Sequence, residues 1–252
     1  MMFFVLNWTS WKRWIFFALI GMIVYFSYQL SSTYVFEPRA SVQSTGGISK
    51  AVKDEEEIAI TINVSWGDDI IIEILEILRE EKVKATFFIN GEWALRNEEI
   101  AKLIIEENHE VGLLGFYRDH YEDLTEEQIT EDIQNGEDTL KRLDYEPLTL
   151  VRPPENRYNQ SVVEHINELG YRTVFWSHFA NIQGDTDPEQ KAMSIVDELS
   201  KGDIIMFKAH DDLTPTPEII RQLIQLKKDE GYNFVTVTEL LSPAKIKLNP
   251  IN

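Results

Sequence analysis

The sequence predicts an α/β fold built on a parallel sheet. Two patterns lead to it. Seven short apolar or β-branched runs recur along the chain, and most intervals between them place apolar residues at helical spacing. Strands alternating with helices form βαβ units, and such units build parallel sheets.

The first run begins near Ile58 (IAITINV), and Ile71, Ile74, Leu75 and Leu78 share one face of the helix after it. The second begins near Lys84 (KATFFIN), followed by Ile100, Leu103 and Ile104 on one helix face. The third begins near His109 (HEVGLL). Thr125 and Gln128 then form a capping-box pattern, and Ile129 and Ile133 line the helix it opens. The fourth begins near Thr149 (TLVR) and leads to a helix over Val162–Leu169. The fifth begins near Tyr171 (YRTVFW), and Asp187-Pro188 marks the next helix start. The sixth begins near Asp203 (DIIMFK). Thr216-Pro217 reads as a cap and first turn, with Ile219, Leu223 and Leu226 facing inward. The last begins near Tyr232 (YNFVTV). Each run is about six residues, an ordinary strand length. Such units close into a barrel or lie open as a doubly wound sheet, and periodicity does not choose. In both, residues just past the strand C-termini carry function.

Composition narrows the partners. The chain has 252 residues, with 24 Lys and Arg against 43 Asp and Glu, a net charge of −19. That excess argues against nucleic acid, which needs clustered cations. With no cysteine, disulfides, thiolate metal sites and cysteine nucleophiles are excluded. There is no P-loop and no G-x-G-x-x-G.

The N-terminus reads differently from the rest. Lys12 and Arg13 precede an uncharged stretch from Trp14 to Phe36, long enough to span a bilayer as a helix. Trp11, Trp14, Tyr25, Tyr28 and Tyr34 flank it like interfacial aromatics. Residues 1–36 are therefore expected to form a single-pass membrane anchor, with Lys12 and Arg13 cytoplasmic and the body outside. A cleaved signal peptide is the alternative. Residues 37–54 are expected to be a linker, 55–245 the folded body and 246–252 a tail. Residues 1–46 carry only Lys12, Arg13, Glu37 and Arg39 as charges, so the acidic excess belongs to the body.

Motifs at the run ends make the chain resemble the polysaccharide deacetylases with the NodB-homology domain, most of all their PdaB-type sporulation branch. The likeness rests on WKRW (11–14), TINVSWGDD (61–69), KATFFINGEWA (84–94), NHEVGLLGFYRDHYEDLTEEQI (108–129), LVRPPENRYN (150–159), GDIIMF (202–207) and GYNFVTVTELL (231–241). It implies a distorted (β/α)7-8 barrel and a site that removes acetyl groups from N-acetylated amino sugars of the cell wall. It also implies a divalent metal such as Zn held by two His and an Asp, an Asp base, a His acid, and an Arg that orients the base.

The matched positions depart from that set. Asn63 stands where the base belongs, and an amide takes up no proton near neutral pH. Val64 stands at the metal carboxylate. Leu114 and Arg118 stand at the two metal imidazoles, one without a lone pair and the other cationic. Lys208 stands at the acid. The stretch from Trp176 to Ile182 has no Asp to support the Arg. Arg152, Pro153 and Pro154 keep the R-x-P core, and Glu155 or Asp68 is the expected counter-ion of Arg152 within the chain, a role that a bound carboxylate of a wall peptide or uronic acid would also fill. Candidate substitutes for the lost groups are Asp68, His120, His178 and His210. His109 and His165 read as structural. Candidate sugar contacts are Trp66, Arg118, Pro154, Tyr158 and Trp176. No metal or other cofactor is expected on this donor set. Three readings follow: a largely non-catalytic binder of N-acetylated cell-wall glycan, a deacetylase with a relocated site, and an assembly partner for a protein of the spore envelope. A pocket that has shed carboxylates and holds cations suits an acidic glycan or peptide better than a metal.

Overall fold

The computed structural model describes residues 46–242, together with Met22. The expected anchor over 1–36 (apart from Met22) and the tail over 246–252 lie outside the described residues. Among the described residues no helix is long and apolar enough to cross a membrane.

Strand β1 (Glu57–Val64) is the axis of the sheet. It pairs in parallel with β2 (Thr86–Ile89) and with β7 (Ile204–Lys208), and its first residues pair with β8 (Asn233–Phe234). Beyond β2 follow β3 (Glu110–Leu113), β4 (Leu150–Val151) and β5 (Arg172–Thr173); beyond β7 lies β6 (His178–Phe179). All these pairings are parallel. The sheet thus has eight strands where seven runs were legible. The additional one, β6, has two residues and no apolar alternation to betray it. The sheet curls as a half-barrel rather than closing: β5 and β6 end its path and share no ladder. Ile48 bridges to Val174 after β5, and Lys50 to Asp203 before β7. The amides of Ile48 and Ala51 donate to Thr173 and Gly202 at 2.8 Å each. The folded body therefore takes in part of the segment read as linker, and its start at Glu55 is too late.

The helices follow in order: α1 (Asp69–Glu80), α2 (Gly91–Arg96), α3 (Glu98–Glu106), α4 (Glu126–Arg142), α5 (Gln160–Glu168), α6 (Pro188–Glu198), α7 (Thr216–Asp229) and α8 (Val237–Leu241). The capping box at Thr125 and Gln128 is present, and Asp187 caps α6 through the Gln190 amide. Thr216 corrects its reading: it is the first helical residue, Pro215 holds the cap position, and the buried Thr216 Oγ1 has no hydrogen-bond partner.

The alternation of β1 sorts its side chains into two cores. Ile58, Ile60, Ile62 and Val64 pack with Ile71, Ile74, Leu75, Ile220 and Leu223 in the core that contains the helix faces. Ala59 joins the smaller core of Phe88, Leu114, Leu150, Val174, Ile204, Val237 and Leu240 on the concave side. Thr61 and Asn63 share that second face by register. This parity decides which motif residue reaches the pocket.

Candidate functional site

A pocket of about 240 Å³ opens where the strands end. Asn63, Ser65, Leu114, Glu155, Asn156, Trp176, Phe179, Met206, Lys208 and His210 line it. Asn63 and Lys208 are register partners on adjacent strands, so the positions assigned to base and acid stand side by side.

Arg152 anchors the site from below. It is 1% exposed, with its guanidinium carbon 3.8 Å from the Phe88 ring centre and 5.2 Å from that of Trp176. It donates to Asn63 Oδ1 (2.7 Å), Thr61 Oγ1 (3.1 Å), Val174 O (3.0 Å) and Phe175 O (2.9 Å). All four acceptors are neutral, and burial alone pulls the Arg152 pKa well below its ordinary value. The expected counter-ions are elsewhere. Glu155 pairs with Arg118 at 2.9 Å, and Asp68 is exposed beside α1. Gly112 makes room for this arrangement, because a Cβ there would lie 2.6 Å from the Phe88 ring that floors Arg152.

The loop after β4 carries backbone strain. Glu155 and Asn156 both lie in the left-handed region, with φ of 50° and 57°. Both residues line the pocket. The Arg118 guanidinium holds the Glu155 carboxyl below its usual range, with Lys208 and His210 adding to the effect.

His210 enters the pocket, Nε2 3.5 Å from Ser65 Oγ and its ring 5.8 Å from that of Trp66. Burial, and after it the Lys208 ammonium, lowers its pKa. Of the four candidate substitutes it alone lines the pocket. His120 is half-buried, sits 3.6 Å from Asp123 and does not line the pocket. His178 pairs in register with Ile205, near the start of β7, and lies 3.4 Å from Asp203, at the opposite end of the sheet. His109 and His165 are structural as read: His109 Nδ1 accepts from the Ala85 amide at 3.2 Å, and burial drives its pKa down to about 4. His165 lies 2.8 Å from Thr130 Oγ1.

Asp68 lies near Asp69 and Asp211, their carboxylate oxygens within 4.8 Å of one another. Asp211 is nonetheless occupied. Its oxygens accept from the amides of Asp68 (3.2 Å), Asp69 (3.1 Å) and Ile70 (3.1 Å), the free N–H groups that open α1. Gly67 has φ of +82°, and a Cβ there would meet the Asp211 carboxylate at 2.5 Å. Asp211 therefore caps a helix from a distant loop. Asp211→Ala is expected to cost about 1–2 kcal/mol, read as a lower urea midpoint with unchanged slope.

Among the candidate sugar contacts, Trp176 lines the pocket. Trp66 lies in a neighbouring cleft with Trp93 and Arg96. Tyr158 stacks on Phe175 at 4.1 Å, Pro154 is buried, and Arg118 bears on the pocket through Glu155. Ser65, Phe179 and Met206 line it without having been singled out. Ser65 and Met206 were legible only as motif neighbours. Phe179 depends on β6.

The donor set does not fit the family's divalent metal. Val64 is fully buried and packs in the outer core, so its side chain does not face the pocket. Leu114 offers no lone pair, and Arg118 is a cation engaged with Glu155.

Known proteins bear out the resemblance to the polysaccharide deacetylases as a family. A family model described as "Polysaccharide deacetylase" matches residues 50–174. A peptidoglycan-N-acetylglucosamine deacetylase of Bacillus cereus is 31% identical over 209 residues, 81% of this chain and 97% of the relative. The chain belongs to the polysaccharide deacetylase family. The uncharacterized protein YlxY of Bacillus subtilis is 28% identical over 199 residues, 79% of this chain; the chain spans 61% of its length. Among solved structures, a CE4 family pseudoenzyme from Bacillus anthracis aligns with TM-score 0.73 and 26% identity, covering 79% of this chain and 70% of the other. A mutant of that pseudoenzyme with restored enzymatic activity aligns with TM-score 0.74 and 25% identity, covering 79% and 72%.

Proposed function

We propose that this polysaccharide deacetylase family member binds N-acetylated cell-wall glycan without hydrolysing it, tethered by residues 1–36 with its body on the extracytoplasmic side. The observation that carries the binding reading is the placement of exposed aromatics. Among the described residues the exposed large aromatics are Trp66, Tyr117, Tyr158 and Phe179. Each follows or ends a strand on the pocket side: β1, β3, β4 and β6 respectively. Aromatic faces on a polar groove suit the faces of sugar rings.

The reading as a non-catalyst rests on chemistry. Asn63 cannot take a proton from water, Lys208 is a cationic donor rather than an imidazole, and the pocket presents no metal-binding set. No metal is therefore proposed for it. That the Bacillus anthracis neighbour is a pseudoenzyme supports the same view. A deacetylase with a relocated site has only His210 left of its four candidate substitutes. The sporulation setting and a spore-envelope protein partner rest on the resemblance to the PdaB-type branch.

Titration with N-acetylglucosamine oligomers and peptidoglycan fragments tests the binding. The protein is expected to bind, and Trp176→Ala and Phe179→Ala are each expected to weaken binding about tenfold, or 1.4 kcal/mol. Phe179 is 44% exposed, so its variant should keep the wild-type melting temperature. Absence of binding, or full affinity in both variants, would refute the reading.

A further inference from the structure

Two cations at this site have no counter-ion among the described residues. Arg152 donates only to neutral oxygens. Lys208 is half-buried, forms no ion pair, and has its Nζ 5.9 Å from the centre of the Phe179 ring. The one carboxylate among the lining residues, Glu155, is engaged by Arg118 at 2.9 Å. This is notable in a chain with 43 acids to 24 bases, where most of the described cations have found partners.

The amide beside Lys208 points the same way. Arg152 only donates, so Asn63 must turn Oδ1 toward it and leave Nδ2 as the group for a ligand. Asn63 and Lys208 are register partners. An ammonium and an amide N–H₂ thus stand together at the ends of two adjacent strands, with no acid between them. Two donors, one charged, suit the two oxygens of a carboxylate. The volume of about 240 Å³ and the flanking rings of Trp176 and Phe179 suit a sugar rather than a length of peptide.

We propose that the pocket selects glycans whose sugar carries a carboxylate, bound by Lys208 Nζ as the cation and Asn63 Nδ2 as the neutral donor. This rests on the glycan-binding reading above and adds a substrate class to it.

The test is calorimetric titration of the full chain with four ligands: a neutral N-acetylglucosamine tetramer, a peptide-free tetramer bearing lactyl ether carboxylates, its methyl ester, and a stem peptide alone. The carboxylated tetramer should bind at least about tenfold more tightly than its ester, with the preference shrinking in about 1 M salt. Lys208→Gln should bring the ratio of the two affinities to about one, while Lys208→Arg should retain a preference. Equal affinity for acid and ester in the wild-type chain would overturn the proposal while leaving glycan binding intact. So would a Lys208→Gln variant that keeps the preference, or a stem peptide that binds as tightly as the carboxylated glycan. Failure of every glycan to bind would overturn the glycan reading and this proposal together.

Discussion

Arg152→Leu is expected to lower stability by about 3–5 kcal/mol, the largest effect of any single change at the site. Two terms oppose each other. Removing the guanidinium relieves the cost of burying a charge with no counter-ion. It also strips the partner from Asn63 Oδ1, Val174 O and Phe175 O, and empties the space between Phe88 and Trp176. Thr61 suffers least, because its hydroxyl also donates to Ile205 O at 2.9 Å. Each orphaned acceptor costs about 1–3 kcal/mol, so three of them outweigh the relief. For a body of this size the melting temperature should fall by about 10 °C. The double variant Asn63→Leu with Arg152→Leu should recover part of the loss, since one orphaned, half-buried acceptor is then gone. A melting temperature unchanged in Arg152→Leu would mean that the guanidinium does not organise the floor of the site.

Asn63→Asp is expected to act in the opposite direction, stabilising the protein by about 1–2 kcal/mol at pH 7. The neutral acceptor 2.7 Å from Arg152 becomes a carboxylate, and a guanidinium without a counter-ion gains one. Asn63 borders the open pocket and is only half-buried, so the new charge is not fully desolvated. The pH dependence gives the signature. Arg152 would hold the introduced carboxyl below its unfolded pKa of about 3.9. A depressed folded-state pKa contributes stability that is full above the unfolded pKa and is lost as pH falls through the folded one. The variant's advantage should therefore be complete at pH 6–7 and vanish at about pH 2. Paired melts of wild type and variant across that range check it; a pH-independent difference would contradict the pairing. The family's ion pair at this spot would then be a stabilising element that this chain has given up along with the base.

The framework was legible because periodicity reports burial. The faces read for α1, α3, α4 and α7 are those that pack, and all seven runs became strands. The eighth strand was not legible, because its two residues gain their place from Ile205 and Met206 rather than from their own pattern. At the site, the strand parity that puts Asn63 inside and Val64 outside follows from alternation. The counter-ions did not follow. Glu155 is three residues from Arg152, yet the left-handed turn at Glu155 and Asn156 sends its carboxylate to Arg118. Asp211 lies beside the pocket in sequence but is drawn away by three amides of α1. His178 sits at the wrong end of the sheet, which no local spacing discloses. Long-range geometry decided each of these, and a one-dimensional pattern does not carry it.

On the function proposed above, the family's site here holds glycan without cutting it, because a base, an acid and a metal set are replaced by an amide, an ammonium and apolar or cationic side chains. The most direct measurement is acetate release from N-acetylglucosamine oligomers and intact peptidoglycan by the purified full chain, with Zn, Mn or Co added in turn. Release is expected to be no faster than from a heat-denatured control under every metal, from a protein that binds the same oligomers. Metal-dependent release above that control would contradict it.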